Sequence, residues 1–404
     1  MSNARTGSLE TLRRLNRLRV IHTLRDEGLI SRAEIARRTG LSRSTVSSLV
    51  SELQADGLVV ERSEPAAAHG DQGGRPPILL SFDASAGVAV GIDFDHHHVR
   101  VAVSDLSSRI LAERELSLDT DHLAHEGLDA AAELVDQVLS EAGVEAARVI
   151  GAGMCLPGPI HRPTGVVGST AILPGWVGVA AADEMRRRLE LPILVDNDAN
   201  LAALAEAAFG SGRDAKDLIY LMISSGIGAG LVLNGRLYRG AEGLAGELGH
   251  VLVDADGPVC RCGNRGCLET VAGTDALAEL LRRSHGDGLD GRAIVRLARE
   301  GDLGCRRVIA DAGRAIGKAA ATLVNVLNPE LLIVGGDLSD AGELLLDGVR
   351  ESLERSALPT AAQAATVVAG ALGDRAEVLG AIALVLSEAD RDHPLRPMAE
   401  AGAR

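Results

Sequence analysis

No run of about eighteen uninterrupted apolar residues occurs in the 404-residue chain, so a membrane-spanning helix is not expected. Met1-Ser2-Asn3-Ala4-Arg5 opens without an apolar signal core, and the expectation is a cytoplasmic protein. Cysteines number only five, which suits a reducing compartment better than a disulfide scaffold. Two of them, Cys155 and Cys305, read as ordinary buried thiols. Lysine is absent from residues 1–62, where eleven Arg face seven Asp or Glu for a balance of +4. Against a total of −15, the remainder then carries −19. That asymmetry predicts a small basic module on an acidic body, and the length allows two or three domains.

The basic module has its own pattern. Leu9 to Glu27 places Leu12, Leu15, Leu18, Val20, Ile21 and Leu24 at helical spacing. Ser31 is positioned to cap a short helix, with Glu34 as the capping-box acid and Gly40 as its end. A third helix runs from about Arg43 to Leu53. Two short helices around a Gly-containing turn predict a helix-turn-helix. With Val46, Leu49, Val50 and Leu53 facing inward, Arg43, Ser44, Thr45, Ser47 and Ser48 form an outer face suited to a major groove. Leu58–Glu61 and Ile78–Leu80 read as the strands of a wing. Its Ala-, Gly- and Pro-rich tip carries Arg75, an arm able to enter a minor groove. A three-helix interaction domain with a solvated Arg face is the bland alternative; the wing and the polar face favour DNA.

A second pattern lies at residues 246–269. His250, Cys260, Cys262 and Cys267 follow H-x9-C-x-C-x4-C, one His and three Cys within eighteen residues. Those four donors make a tetrahedral set for zinc. Disulfides are the competing reading, but C-x-C geometry bridges poorly. Glu247 and Glu269 flank the ligands, so an ordered metal loop also aims two carboxylates. Asp196-Asn197-Asp198-Ala199-Asn200 falls where a buried strand gives way to a helix, a usual place for an α/β site, although a helix cap alone explains Asn197-Asp198.

The segment from Glu247 to Glu269 resembles the zinc-and-sugar signature of the ROK family, which groups sugar repressors, open reading frames and sugar kinases. The first eighty residues resemble the winged-helix headpiece of its repressors, the xylose and N-acetylglucosamine ones among them. The resemblance implies an α/β fold: a winged helix-turn-helix over 1–82, followed by a two-lobe, actin-like (RNase H-like) sugar-kinase body. The lobes are expected over 83–200 with about 377–388, and over 201–376, leaving a disordered tail at 389–404. The implied sugar-binding residues are Asn197, Asp198, Glu247, His250 and Glu269, with His250 serving zinc and sugar at once. In family kinases the residue matching Asp198 is the catalytic base. Pro157-Gly158-Pro159 matches a substrate loop, while Ile172 replaces an Asn that contacts sugar in the kinases.

Phosphate transfer is another matter. The kinases hold ATP on two glycine-bearing turns whose backbone N–H groups reach the phosphates. The first, D-x-G-G-T, is replaced here by Asp93-Phe94-Asp95-His96-His97. Both glycines are lost, and Asp95 repels a polyphosphate. Three successive His on a strand would alternate faces, which reads as a degraded loop rather than a metal site. The second turn keeps Gly226 and Gly228, and Gly335-Gly336 resembles the adenosine side. The resulting expectation is a sugar-responsive transcription regulator, a repressor of carbohydrate genes. It would carry structural zinc, bind operator DNA as a homodimer or tetramer, and have no catalytic residue. The runner-up is an ATP-dependent sugar kinase retaining a DNA-binding domain, with Asp198 as base. In a third reading a protein partner releases the repressor.

Overall fold

A small helical head starts the chain. The computed structural model describes residues 12–13, 16–17, 19–25, 27–62, 78–161, 166–167 and 172–392. The first helix, α1, runs through 19–25, with helical turns at 12–13 and 16–17, and buries Val20, Ile21 and Leu24. Strand β1 (Ile30–Ser31) leads into α2 (Arg32–Thr39) and α3 (Arg43–Ala55). Ser31 Oγ accepts the Glu34 N–H at 3.3 Å, and Gly40 ends α2 at φ 70°, a conformation that suits glycine. Ser42 caps α3 by accepting the Thr45 N–H at 3.1 Å. Val46, Leu49, Val50 and Leu53 are buried as their spacing predicts. Strands β2 (Val59–Arg62) and β3 (Leu79–Phe82) form the wing, and β1 joins them in the order β1-β3-β2. Two residues are too short to show a period of their own; pairing Ile30 with Leu80 makes β1 a strand. The wing tip with Arg75 lies outside the described residues.

The body repeats one plan twice. Strands β4 (Val88–Phe94), β5 (His98–Asp105) and β6 (Ile110–Ser117) lead through helix α4 (Ala124–Ala142) to β7 (Val149–Leu156). A small hairpin, β8 (Ile160–His161) with β9 (Val166–Val167), and α5 (Ala181–Leu189) precede β10 (Ile193–Asn197). Next come α6 (Asp198–Phe209), β11 (Leu218–Ile223), β12 (Ile227–Leu233) and β13 (Arg236–Tyr238). Helices α7 (Glu269–Ala272), α8 (Thr274–His285), α9 (Gly291–Arg299) and α10 (Leu303–Leu327) follow, then β14 (Leu331–Gly335). The chain finishes with α11 (Glu343–Ser356), α12 (Pro359–Ala364), β15 (Thr366–Ala369) and α13 (Ala376–Asp392). The sheets are ordered β10-β7-β4-β5-β6 and β13-β12-β11-β14-β15. In each, an antiparallel meander of three strands receives two parallel strands beside its first member. The parallel strands are near-continuous apolar runs because helices cover both faces.

Two expectations change. His96 and His97 lie in the turn between β4 and β5, and only His98 belongs to a strand, so strand alternation does not separate the three side chains. Helix α13 continues to Asp392, into the stretch expected to be disordered; the residues after it lie outside those described.

Helices α6 and α13 lie between the two sheets. A Cβ at Gly153 of β7 would stand 2.0 Å from the Ala381 carbonyl of α13, and one at Gly380 would stand 2.0 Å from the Leu201 carbonyl of α6. Glycine at these positions lets backbone meet backbone. The head shares its core with the body: one apolar cluster runs from Leu24, Ile35 and Leu53 through Leu58 and Leu80. It continues to Ala89, Ala102 and Leu106, and ends on Val378, Ile382 and Leu386 of α13. Arg100 of β5 has an 8% exposed side chain and ties β6 to the start of α13. It reaches Glu115 at 2.6 Å and Asp374 at 3.3 Å.

Candidate functional site

A cleft of about 750 Å³ opens between the lobes. The first lobe contributes the carboxyl ends of β4, β7 and β10, and the second those of β11 and β14. Ligands of open α/β sheets bind at such strand ends. Asn197, Asp198, Glu247, His250 and Glu269 all line the cleft, as do Gly226, Gly228 and Gly336. Gly335 instead packs against the Tyr220 ring, where a Cβ would stand 1.9 Å from the hydroxyl. Pro157, Gly158, Pro159 and Ile172 form an apolar part of the wall.

Asn197 is a helix cap and a cleft residue at once. Its Oδ1 accepts the Asn200 N–H at 2.9 Å, which leaves Nδ2 to donate. Asp198 accepts the Ala199 N–H at 2.8 Å. Burial pushes its carboxyl up to about 6, helped by the charges of Glu247 and Asp95 and opposed by His96. Burial likewise raises Glu247, with Glu269 adding to the rise and His250 and Arg261 opposing it. Both carboxylates are thus short of compensating positive charge. Asp196, behind them, accepts the Asn200 amide at 2.8 Å and pairs with Arg239 from the second lobe.

The loop after β13 brings the predicted metal donors together. The ligand atoms of His250, Cys260, Cys262 and Cys267 all lie within 4.8 Å of one another. Cys262 and Cys267 Sγ are 3.7 Å apart, and His250 Nδ1 is 3.6 Å from Cys260 Sγ. A tetrahedral zinc with Zn–S near 2.3 Å sets its sulfur atoms about 3.8 Å apart. No disulfide forms; all five cysteines are free. With Nδ1 turned to the cysteines, His250 Nε2 faces Glu247 at 3.9 Å. Glu269, nearly buried, is held by Arg261 at 2.7 Å and receives the Ile227 N–H at 3.4 Å.

The opposite end of the cleft is crowded with acids. Burial lifts Asp93 to about 7, with Asp95 adding to the rise. Glu377, at the start of α13, is also raised by burial and by Asp93. In the turn that replaces the first phosphate loop, the Asp95 N–H goes to the His98 carbonyl at 3.0 Å. The His97 N–H goes to Asp95 Oδ1 at 3.1 Å, and His96 pairs with Asp121 at 2.7 Å. These backbone donors point back into the turn.

On the head, Arg43, Ser44, Ser47 and Ser48 are exposed and Thr45 is half-buried. Ser42 Oγ lies 2.9 Å from Ser44 Oγ and 2.8 Å from Thr45 Oγ1, and Ser48 donates to Glu52 at 3.2 Å.

A profile of the ROK family matches residues 89–388, and one of the MarR family matches residues 13–68. The chain belongs to the ROK family. It is 32% identical over 395 residues to the xylose repressor of Caldicellulosiruptor bescii, covering 95% of this chain and 98% of that one. The crystal structure of a ROK family transcriptional regulator, a homologue of the E. coli MLC protein, superposes with a TM-score of 0.80 at 25% identity. That match covers 94% of this chain and 97% of the other. A ROK family glucokinase from Streptomyces griseus, solved with glucose and AMPPNP, aligns with a TM-score of 0.62 at 29% identity. It covers 74% of this chain and 99% of its own. The kinase therefore corresponds to the body without the head, and the regulator to the whole chain.

Sequence reasoning left unassigned two residues that line the cleft, Glu377 and Arg261, and one that pairs with Asp196 behind it, Arg239. Glu377 lies 179 positions after Asp198 in the sequence, yet α13 returns it to the same cleft. Arg261 is hidden as the spacer of C-x-C, and Arg239 as one arginine of many. Only the spacer arginine had a usable signal, because metal ligation on both sides fixes where its side chain starts.

Proposed function

We propose that this protein is a sugar-responsive DNA-binding repressor of carbohydrate-utilisation genes. The observation that carries this reading is the apolar cluster uniting the head with α13. Helix α13 in turn rests on α6, whose first turn holds Asn197 and Asp198. A sugar in the cleft takes a donor from Asn197 Nδ2 and offers hydroxyls to Asp198, Glu247 and Glu269. His250 Nε2 takes part from the zinc loop. Several polar groups converging from separate segments are what a polyhydroxyl ligand requires.

His250, Cys260, Cys262 and Cys267 hold a structural zinc, which supplies loop order and leaves no open coordination position. Lobe closure on the sugar shifts α6 against α13 and so moves the heads of a homodimer. Operator affinity then falls by the ratio of the sugar's affinities for the two states. In the head, Arg43 contacts phosphate, and Ser44, Thr45, Ser47 and Ser48 face the major groove. The cytoplasm is the compartment this role requires; among the described residues, no helix is long and apolar enough to cross a membrane.

Catalysis is not part of this role. The replaced first turn spends the Asp95 and His97 N–H groups internally and lines the cleft with Asp95, whose charge opposes a polyphosphate. Phosphoryl transfer depends on positioning and charge stabilisation. The test is fluorescence anisotropy on an operator selected from a genomic library, titrated with sugars in the presence and absence of Mg-ATP. The expected outcome is sugar-dependent release without nucleotide and no ADP. Sugar-dependent ADP formation that disappears in Asp198→Asn would instead establish a kinase.

A further inference from the structure

The distribution of charge in the cleft goes beyond the identification of a sugar pocket and rests on it. We infer that the pocket selects unphosphorylated, uncharged sugars, and that Arg261 is the residue that fits Glu269 to that choice. Asp198, Glu247 and Glu269 are close enough to act on one another in sequence: Glu247 on Asp198, and Glu269 on Glu247. Among the groups that act on Glu247, Arg261 is the one arginine. Its guanidinium is already engaged by Glu269 at 2.7 Å, and the Glu269 side chain is only 10% exposed. A Cβ at Gly226 would stand 2.8 Å from Arg261 Nη2, so the bare turn leaves room for this pairing.

A phosphate ester brings about 1.5 to 2 negative charges at neutral pH. Placed here it meets two carboxylates without a cationic partner of their own. It could recruit Arg261 only by stranding a nearly buried Glu269, the costly way to break an ion pair. The cleft's other arginines, Arg292, Arg296 and Arg299, all lie on α9, where Arg292 faces Asp337 at 3.3 Å and Arg299 donates to the Asp340 carbonyl. An uncharged sugar suits the same groups. Each carboxylate is an acceptor without a donor, and each hydroxyl supplies one. Arg261, by neutralising Glu269, keeps a third carboxylate as an acceptor without adding to the repulsion.

Calorimetric titration of the full, zinc-loaded chain tests this with matched pairs: D-glucose and glucose 6-phosphate, D-xylose and xylose 5-phosphate, N-acetylglucosamine and its 6-phosphate. In whichever pair binds, the ester is expected to bind more weakly than its parent by about tenfold or more, the equivalent of roughly 1.4 kcal/mol of repulsion. For a hexose parent, the 6-O-methyl ether supplies bulk without charge and should stay within a few-fold of it. An ester that binds as well as its parent overturns the inference while leaving a sugar pocket standing. Equal rejection of ether and ester also overturns it, by making size the cause. Binding of none of the six compounds removes the sugar-pocket reading itself, and this inference with it.

Discussion

Asp198 starts α6, accepts the Ala199 N–H and lines the cleft, so its burial is imposed by the fold. The unfolded carboxyl ionises near 3.8 and the folded one near 6. Between those values the folded state keeps a proton that the unfolded chain has released. Stability contributed by this group therefore falls as pH rises from about 4 to 6 and stays lowered above that. Asp198→Asn is expected to stabilise the protein by roughly 2–3 kcal/mol at pH 8 and hardly at all at pH 3.5, while sugar binding is lost. Urea melts at the two pH values check this, and an equal gain at both would remove burial of charge as the explanation.

At this scale the sequence was most legible where chemistry demands fixed spacing. The four metal donors and the acids beside them could be located before any coordinates. Glu377 could not, because no local pattern says that a helix start will meet a strand end from the far side of the chain.

The loop of His250 and the three cysteines and the α6–α13 pair are the elements on which the proposed site depends. Cys262→Ser removes one donor from a loop that also carries His250, Arg261 and Glu269. Metal analysis should show zinc lost, and thermal melts should show the sugar-induced rise in Tm lost with it. A normal sugar shift in zinc-free protein would separate loop order from sugar binding and refute the arrangement. Gly380 matters for another reason. Its missing side chain lets α13 meet Leu201 of α6, so Gly380→Ala forces the helices apart and should destabilise the fold by about 1–3 kcal/mol. Unchanged denaturation midpoints would mean that the contact yields easily.

The two wing strands were legible as apolar runs. Their pairing was less so, and β1 least, since two residues acquire strand character only from their neighbours. The three histidines misled for a related reason: a polar run after an apolar strand does not reveal where the chain turns.

For the whole molecule, the duplicated sheet plan provides two lobes, and the head packs on the first and on α13. Arg43→Ala should weaken operator binding and lower the salt dependence by about one ion, as expected for a phosphate contact. Zinc content and sugar affinity should remain those of the parent. A matching loss of sugar affinity would mean that head and cleft are one site rather than two coupled ones. The division of labour was legible from charge alone, because a basic head on an acidic body is a property of composition. Its mechanical attachment was not, because the residues that seat the head come from both ends of the chain.

That attachment bears on how the protein is made. The head is synthesised well before Val378, Ile382 and Leu386, which complete its core. A nascent chain on the ribosome carries a DNA reader without its seat, and a chain ending before α13 never gains one. Premature stop codons late in the gene should therefore behave like early ones, leaving no fragment that occupies the operator while deaf to sugar.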